Sequence, residues 1–404
     1  MGKNLDLRSN RIKFVVHGFF FSTALKVAEP STVLPLIIKY FTANNVLIGL
    51  FSSLVRGGAV LMQLYMAYFA QTYKKVLKPL RWLFFFRVMS WLGIGLSLYF
   101  FAEKNVKLTL WLVGSGFFMF SFFAGFGTIL FHELLGKIFS NKYRGATWGY
   151  RQIFMGIGGF IGIIITWYFF KSLKAPLSFA YAFLLSSGFM LIGYLFLGNV
   201  KEDSKINISS KESSFIKFLY NSFKILKYDR VLSLQILVCL ISFSYLFVFP
   251  FIVTHTKIEL KLGGLALGSA LPLIIGNITG NFIWVKLSGK GKDKTIVQLS
   301  FIFIIISLII SIVASNIFMF IFIYLFAGAA TDGFRLSFKN LILSIAPEEK
   351  RPVYFAVQNN ITSLGMFFSI PGGILINNMP FNVVISGVII ILLIGFGLSF
   401  KLTQ

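Results

Sequence analysis

The sequence predicts an all-α integral membrane protein of twelve transmembrane helices, and three observations carry that prediction. Of the 404 residues 57% are hydrophobic, 50 are Phe and the mean hydropathy is +0.82, whereas soluble domains are about 45–50% apolar. The apolar residues form continuous runs of about 20–25, enough for a helix to cross a hydrocarbon core, not the alternating runs of about 10 that build a barrel. The Lys and Arg residues sit mostly in short loops between those runs, which is the positive-inside pattern.

Twelve runs meet the length criterion, near 14–38, 44–69, 80–102, 108–131, 147–170, 176–198, 230–253, 262–286, 295–315, 317–341, 353–377 and 381–400. With the N-terminus in the cytoplasm, 25 of the 38 Lys and Arg lie on the cytoplasmic side, 7 outside and 6 within spans. That bias orients the chain, with both termini and residues 199–229 expected in the cytoplasm. It also accounts for the net charge of +25 without nucleic acid. Cys239 is the single cysteine, which excludes an internal disulfide and a cysteine metal cluster. The first run is too long for a cleaved leader and no small-residue cleavage site follows it.

Span 1, FVVHGFFFSTALKVAEPSTVLPLIIK, carries Lys26 and Glu29 near its centre, three residues apart and on one helical face. Pro30 cannot donate to the carbonyl of Lys26, so the helix is expected to loosen beside the two charges, and Pro35 adds a second break. A charge at the bilayer centre costs about 2.5–3.5 kcal/mol on insertion scales, so this helix is expected to face protein or water there. The alternative is a self-neutralising pair that helps helices pack.

A polar stretch, KEDSKINISSKESS, and then FIKFLYNSFKILKYD divide the chain into six spans and six spans. In the second stretch Phe215, Leu219, Phe223 and Leu226 recur at helical spacing among lysines, as in an interfacial helix on an anionic leaflet. The expected domains are 1–198, the linker 199–229 and 230–404. The two halves match internally. Pro35 and Gly49 in LPLIIKYFTANNVLIGL correspond to Pro250 and Gly264 in FPFIVTHTKIELKLGGL, and YRGATWGYRQ (143–152) corresponds to KRPVYFAVQN (350–359). Two matches at corresponding places indicate an internal repeat.

Twelve spans, a six-plus-six repeat and a basic central linker resemble the major facilitator superfamily over the whole chain. The resemblance implies two six-helix bundles related by pseudo-two-fold symmetry, rocking about a site near mid-membrane, with spans 1, 4, 7 and 10 lining the cavity. The family's loop after span 2 reads like G-x-L-A-D-R-x-G-R-R. Here AYFAQTYKKVLKPLR (67–81) matches at Phe69, Ala70, Lys74 and Lys75, with Gln71 in place of the acid. After span 8, VKLSGKGKDK (285–294) matches at Leu287 and Ser288, with Gly289 in place of the acid. Both loops lack the acidic member of the family's gate.

The candidate substrate-binding residues are Lys26, Glu29 and Arg56, which share one depth on neighbouring helices, together with Asn277, Asp332 and Arg335. Glu29 and Asp332, the acids well inside spans, are the proton-coupling candidates. His132, Glu133, Arg144 and Arg351 are the gate candidates. Each has a structural counterpart: Asp332–Arg335 as an intrahelical pair, and Asn277, Asn281 and Gln358 as interhelical glue. Arg87 and Arg151 are expected to snorkel to the cytoplasmic face, and His17 and His255 to be interfacial. The runs GIGGFIG (156–162) and GNITGN (276–281) sit inside apolar spans without a GK[ST], so they read as close helix packing rather than phosphate loops. No metal-ligand spacing and no nucleophile–base arrangement appears, so neither an enzyme nor a cofactor is expected.

The leading reading is a secondary active transporter that moves a small anionic or zwitterionic solute by alternating access, with the proton as coupling ion. The expected setting is a bacterial inner or plasma membrane and the expected state a monomer. The alternatives are efflux of neutral or cationic drug-like compounds, and a non-transporting receptor or sensor on the same fold.

Overall fold

The computed structural model describes residues 2–70, 75–139, 141–202, 224–226, 228–255, 261–347 and 351–403, and the side chains of most of them. The chain is helical throughout these residues. In chain order the helices are α1 (Gly2–Leu25), α2 (Val33–Phe41), α3 (Asn45–Ala70), α4 (Leu77–Phe100), α5 (Val106–Ile138), α6 (Asn141–Ser172) and α7 (Leu177–Gly198). After the linker come α8 (Arg230–Ser242), α9 (Phe249–His255), α10 (Leu262–Ser288), α11 (Asp293–Val313), α12 (Ile317–Ile345), α13 (Arg351–Thr362), α14 (Ser369–Asn378) and α15 (Phe381–Ser399). The expected amphipathic segment lies outside the described residues except at its C-terminal end, where Lys224–Leu226 are helical.

Ten helical stretches among the described residues are long and apolar enough to cross a membrane. Asn45–Ala59 is a shorter apolar piece, and the span-11 region is divided into α13, a 3-10 turn at Ser363–Phe367 and α14. Large apolar side chains on the membrane-length helices face outward: Phe282 is 76% exposed and Phe318 71%. Such a surface suits lipid and would be a liability in water.

Local chemistry explains where the helices begin. Asn105, Asp229 and Asn316 each accept a main-chain N–H three residues ahead, capping α5, α8 and α12. Each cap satisfies a donor that the first turn leaves open.

The chain folds into two compact units. The first comprises Met1–Glu29, Leu54–Glu212 and Leu262–Gly264; the second comprises Pro30–Ser53, Ser213–Lys261 and Leu265–Gln404. In the first, α1 packs along α6 and α7, and α4 along α5 and α7. A Cβ on Gly158 or Gly162 would collide with the main chain of α1 at Phe19 and Thr23. In the second unit α11 packs on α12 and α15, and α8 on α12, α13 and α15. Gly276 lies against the main chain at Leu325, and Gly328 against that at Leu273. Both glycine runs therefore serve close helix packing, as their apolar setting predicts.

Candidate functional site

Helix α1 stops at Leu25. Lys26–Ala28 form a single 3-10 turn, Glu29 is extended at φ −58°, ψ 117°, and the helix restarts at Val33. The sequence places Pro30 at this point, and the interruption follows from its missing N–H. Main-chain groups freed in an apolar interior need partners. The Ala24 carbonyl finds one in the Ser186 hydroxyl of α7 at 2.7 Å, and Ser186 accepts from the Trp91 indole N–H of α4 at 2.8 Å. The break is thereby tied to two other helices of its unit.

The three first-half charges meet at this break. The Lys26 ammonium donates to Glu29 Oε2 at 2.8 Å, and Arg56 Nη2 of α3 lies 3.8 Å from Glu29 Oε1. Their side chains are 20%, 23% and 15% exposed for Lys26, Arg56 and Glu29. The group is sheltered but reachable. The Lys26 contact to Glu29 is short and the Arg56 contact longer, and a guanidinium is the planar donor type that suits an oxyanion.

In the second unit Asp332 of α12 accepts from the Asn281 amide of α10 at 2.7 Å and pairs with Arg335 at 2.8 Å. Asp332 is 8% exposed, whereas the Arg335 side chain is 67% exposed. Asn277, oriented so that both amide atoms are satisfied, donates to the Gly328 carbonyl at 2.7 Å and the Leu273 carbonyl at 3.2 Å. That contact binds α10 to α12. Gln358 of α13 accepts from Gln235 of α8 at 2.8 Å and likewise joins helices. Lys339 is exposed.

Of the gate candidates, Glu133 is described and faces Lys137 at 3.7 Å. The side chains of His132, Arg144 and Arg351 lie outside the described residues. Lys137 leads to a residue that the sequence reading did not single out. Glu202, after the last helix of the first half, accepts the main-chain N–H of Val76 and of Leu77, each at 2.9 Å, and lies 3.6 Å from Lys137. Around it Arg81 donates to the Gly198 carbonyl and Lys13 to the Asn199 carbonyl, each at 2.7 Å. A carboxylate is thus supplied to the start of α4 from far along the chain, while Gln71 stands in the loop itself. In the second half Asp293 accepts from Ser288 at 2.9 Å and Asn340 at 3.0 Å. It stands four residues after Gly289, where the family places an acid. Neither acid could be found by matching the loop motif position by position.

Arg87 and Arg151 do not snorkel. The Arg87 guanidinium sits over Phe120 at 4.3 Å and Phe21 at 5.0 Å; that of Arg151 sits over Phe14 at 5.1 Å and Phe131 at 5.2 Å. His17, expected at an interface, is 3% exposed and packs against Phe84 and Tyr194, which stack on each other at 4.2 Å. The aromatic density of the first unit offers ring faces to these cations within the bundle, which competes with the water that snorkelling would reach.

Among the described residues no cluster of His, Cys, Asp and Glu could hold a metal ion.

The sequence matches the model of the Major Facilitator Superfamily over residues 15–369. A D-xylose–proton symporter is similar in structure, with 14% identity, 98% of each chain covered and a TM-score of 0.76. A bacterial homologue of the iron transporter ferroportin, in an inward-facing state, gives 13% identity over 97% of this chain and 98% of that one, with a TM-score of 0.71. The nucleoside transporter NupG gives 12%, 97% and 98%, with a TM-score of 0.67. A comparison with curated proteins returns no match. With its all-helical fold, its membrane-length spans and a family match covering most of its length, the chain belongs to the Major Facilitator Superfamily, a family of multi-pass membrane transporters and not of enzymes.

Proposed function

We propose that this protein is a secondary active transporter of small anionic or zwitterionic solutes, with the Lys26–Glu29–Arg56 group as the solute-recognition site. One observation carries the reading: at an unwound break inside an apolar span, Lys26 and Arg56 share the carboxylate of Glu29. Three isolated charges at mid-membrane cost about 7–10 kcal/mol on the insertion scale, so such a group persists where partners and a use offset the cost. Two cations to one carboxylate favour an incoming anion over a cation. Asp332 and Arg335, with Asn281 and the nearby Asn277, are the second-half candidates for the same solute. The named cargoes of the structural neighbours are small, and one neighbour is a proton symporter, which is compatible with this reading.

Lys26→Gln and Arg56→Gln, made separately, test it. Membrane-inserted, folded protein with substrate binding weakened about tenfold to a hundredfold in at least one variant supports the anion reading, that being the range of one charge-assisted hydrogen bond. Normal binding in both removes it and favours a neutral or cationic solute in an aromatic cavity.

The proposed drive is the proton, carried by Glu29 or Asp332. Neutralising the responsible acid is expected to abolish uphill accumulation while solute exchange at equal pH on both sides survives, since exchange moves no net proton. If Glu29→Gln and Asp332→Asn both still concentrate solute up a proton gradient, coupling through these acids is wrong. The proposed setting is a cell membrane of bacterial type, with both termini and the linker in the cytoplasm and the transporter acting as a monomer. Arg144, Arg351, His132 and Glu133 are proposed to work at the cytoplasmic gate.

A further inference from the structure

At the entry to α8 an open pocket of about 660 Å³ is lined by Lys224, Tyr228, Asp229, Arg230, Val231 and Tyr354, among others. It belongs wholly to the second unit. The acid in it is already engaged. Asp229 Oδ1 accepts the Leu232 N–H at 3.0 Å and Oδ2 accepts the Tyr354 hydroxyl at 2.6 Å. Lys224 and Arg230 are both exposed, and neither makes an ion pair among the described residues. Two exposed cations therefore line the opening beside one carboxylate whose oxygens are taken up by Leu232 and Tyr354.

The depth of the pocket is set by the sequence. Arg230 is the first residue of an apolar stretch that runs to His255 and is long enough to cross the membrane. The pocket thus lies where headgroups meet hydrocarbon, whichever face of the membrane this is. Tyr228 is 72% exposed and Val231 39%, giving an aromatic and an aliphatic surface at the level where amphipathic rings favour the interface.

We propose that this pocket binds the phosphodiester headgroup of an anionic phospholipid, with Lys224 and Arg230 holding the phosphate and the acyl chains lying along Val231 and Tyr228. Soluble phosphate shares the charge chemistry but gains nothing from the apolar side, and that difference assigns the site to lipid. The bound lipid fastens the end of the central linker to the first turn of span 7. The assignment does not depend on the identity of the transported solute.

The test uses the full-length protein in a neutral detergent, titrated separately with dioctanoyl phosphatidylglycerol, dioctanoyl phosphatidylcholine and sodium phosphate. Bound molecules are counted by native mass spectrometry, and thermal unfolding is followed in parallel. Phosphatidylglycerol is expected to bind and to raise the unfolding temperature, with phosphatidylcholine and phosphate much weaker. Lys224→Gln with Arg230→Gln is expected to weaken phosphatidylglycerol binding about 30-fold, roughly fivefold per basic side chain. Lys171→Gln with Lys174→Gln, a basic pair elsewhere on the chain, is expected to leave it unchanged. If the first double variant does not fold, Lys224→Gln alone carries the test with its fivefold loss. Equal binding of the two lipids, phosphate binding as strong as phosphatidylglycerol, or undiminished affinity in the Lys224 and Arg230 variants overturns the site.

Discussion

In the register that sets Pro35 over Pro250 and Gly49 over Gly264, the interrupted stretch of span 1, Lys26–Thr32, lies over Ile241–Phe247 of span 7. Span 7 is interrupted there as well: α8 ends at Ser242, a 3-10 turn covers Phe243–Phe247, and α9 begins at Phe249. The two repeats thus keep the same break in the same place. Their side chains differ completely. Lys26 falls over Ile241, Glu29 over Ser244 and Arg56 over Leu271, so all three charges of the first break have uncharged counterparts in the second. The backbone feature is common to both halves, whereas the electrostatic feature belongs to one. A repeat can therefore hold its architecture while carrying the charged side chains at the break in one half of the sequence only.

The sharpest way to break this comparison is to remove the carboxylate. Glu29→Ala leaves Lys26 and Arg56 at the break without the acid they share. Loss of one partner of a buried pair costs about 3–5 kcal/mol, and the partial exposure here lowers that to roughly 2–3 kcal/mol. The expected result is a marked drop in folded yield and unfolding temperature. Ser244→Ala at the equivalent place is expected to change stability by about 0.5 kcal/mol or less, as is usual away from a buried pair. Equal losses for the two variants, measured by thermal unfolding in one detergent, would show that the breaks are held by backbone alone.

A second pair sharpens the comparison at the loop that follows span 2 of each half. Glu202→Gln should cost about 1–2 kcal/mol, because it weakens the acceptance of two main-chain donors at the start of α4 and removes the charge opposite Lys137. Asp293→Asn, whose carboxylate faces a hydroxyl and an amide, should cost less, about 0.5–1 kcal/mol. The order of the two unfolding temperatures checks this; the reverse order would mean that the two acids do not play parallel parts.

Much of this was legible in the sequence, and the reason is the solvent. A hydrocarbon core forces membrane-length apolar runs, and twelve of them with a central linker leave little choice of fold. Pro30 beside Lys26 and Glu29 announced the break, and the close packing at Gly158 and Gly276 followed from glycines in apolar spans. The inward turn of Arg87 and Arg151 was not legible. Sequence distance from the membrane face favours snorkelling, and only the fold shows that Phe120, Phe21, Phe14 and Phe131 gather around the two guanidiniums. Glu202 was hidden for a related reason. It serves the start of α4 across more than a hundred residues, and no local motif encodes a partner at that separation.

The uncharged break of span 7 has a consequence for how such a protein is dissected. A helix that loosens exposes peptide N–H and C=O groups, and those groups are polar whatever side chains they carry. At Phe243–Phe247 the side chains are Phe, Ser, Tyr, Leu and Phe, so an alanine scan there removes rings and hydroxyls and leaves every peptide dipole in place. The same scan across Lys26–Glu29 deletes charge and reads as a functional hot spot. Substitution by amino acids is thus an unequal probe of the two breaks, whereas replacing single amides by esters in the backbone would probe both on the same terms.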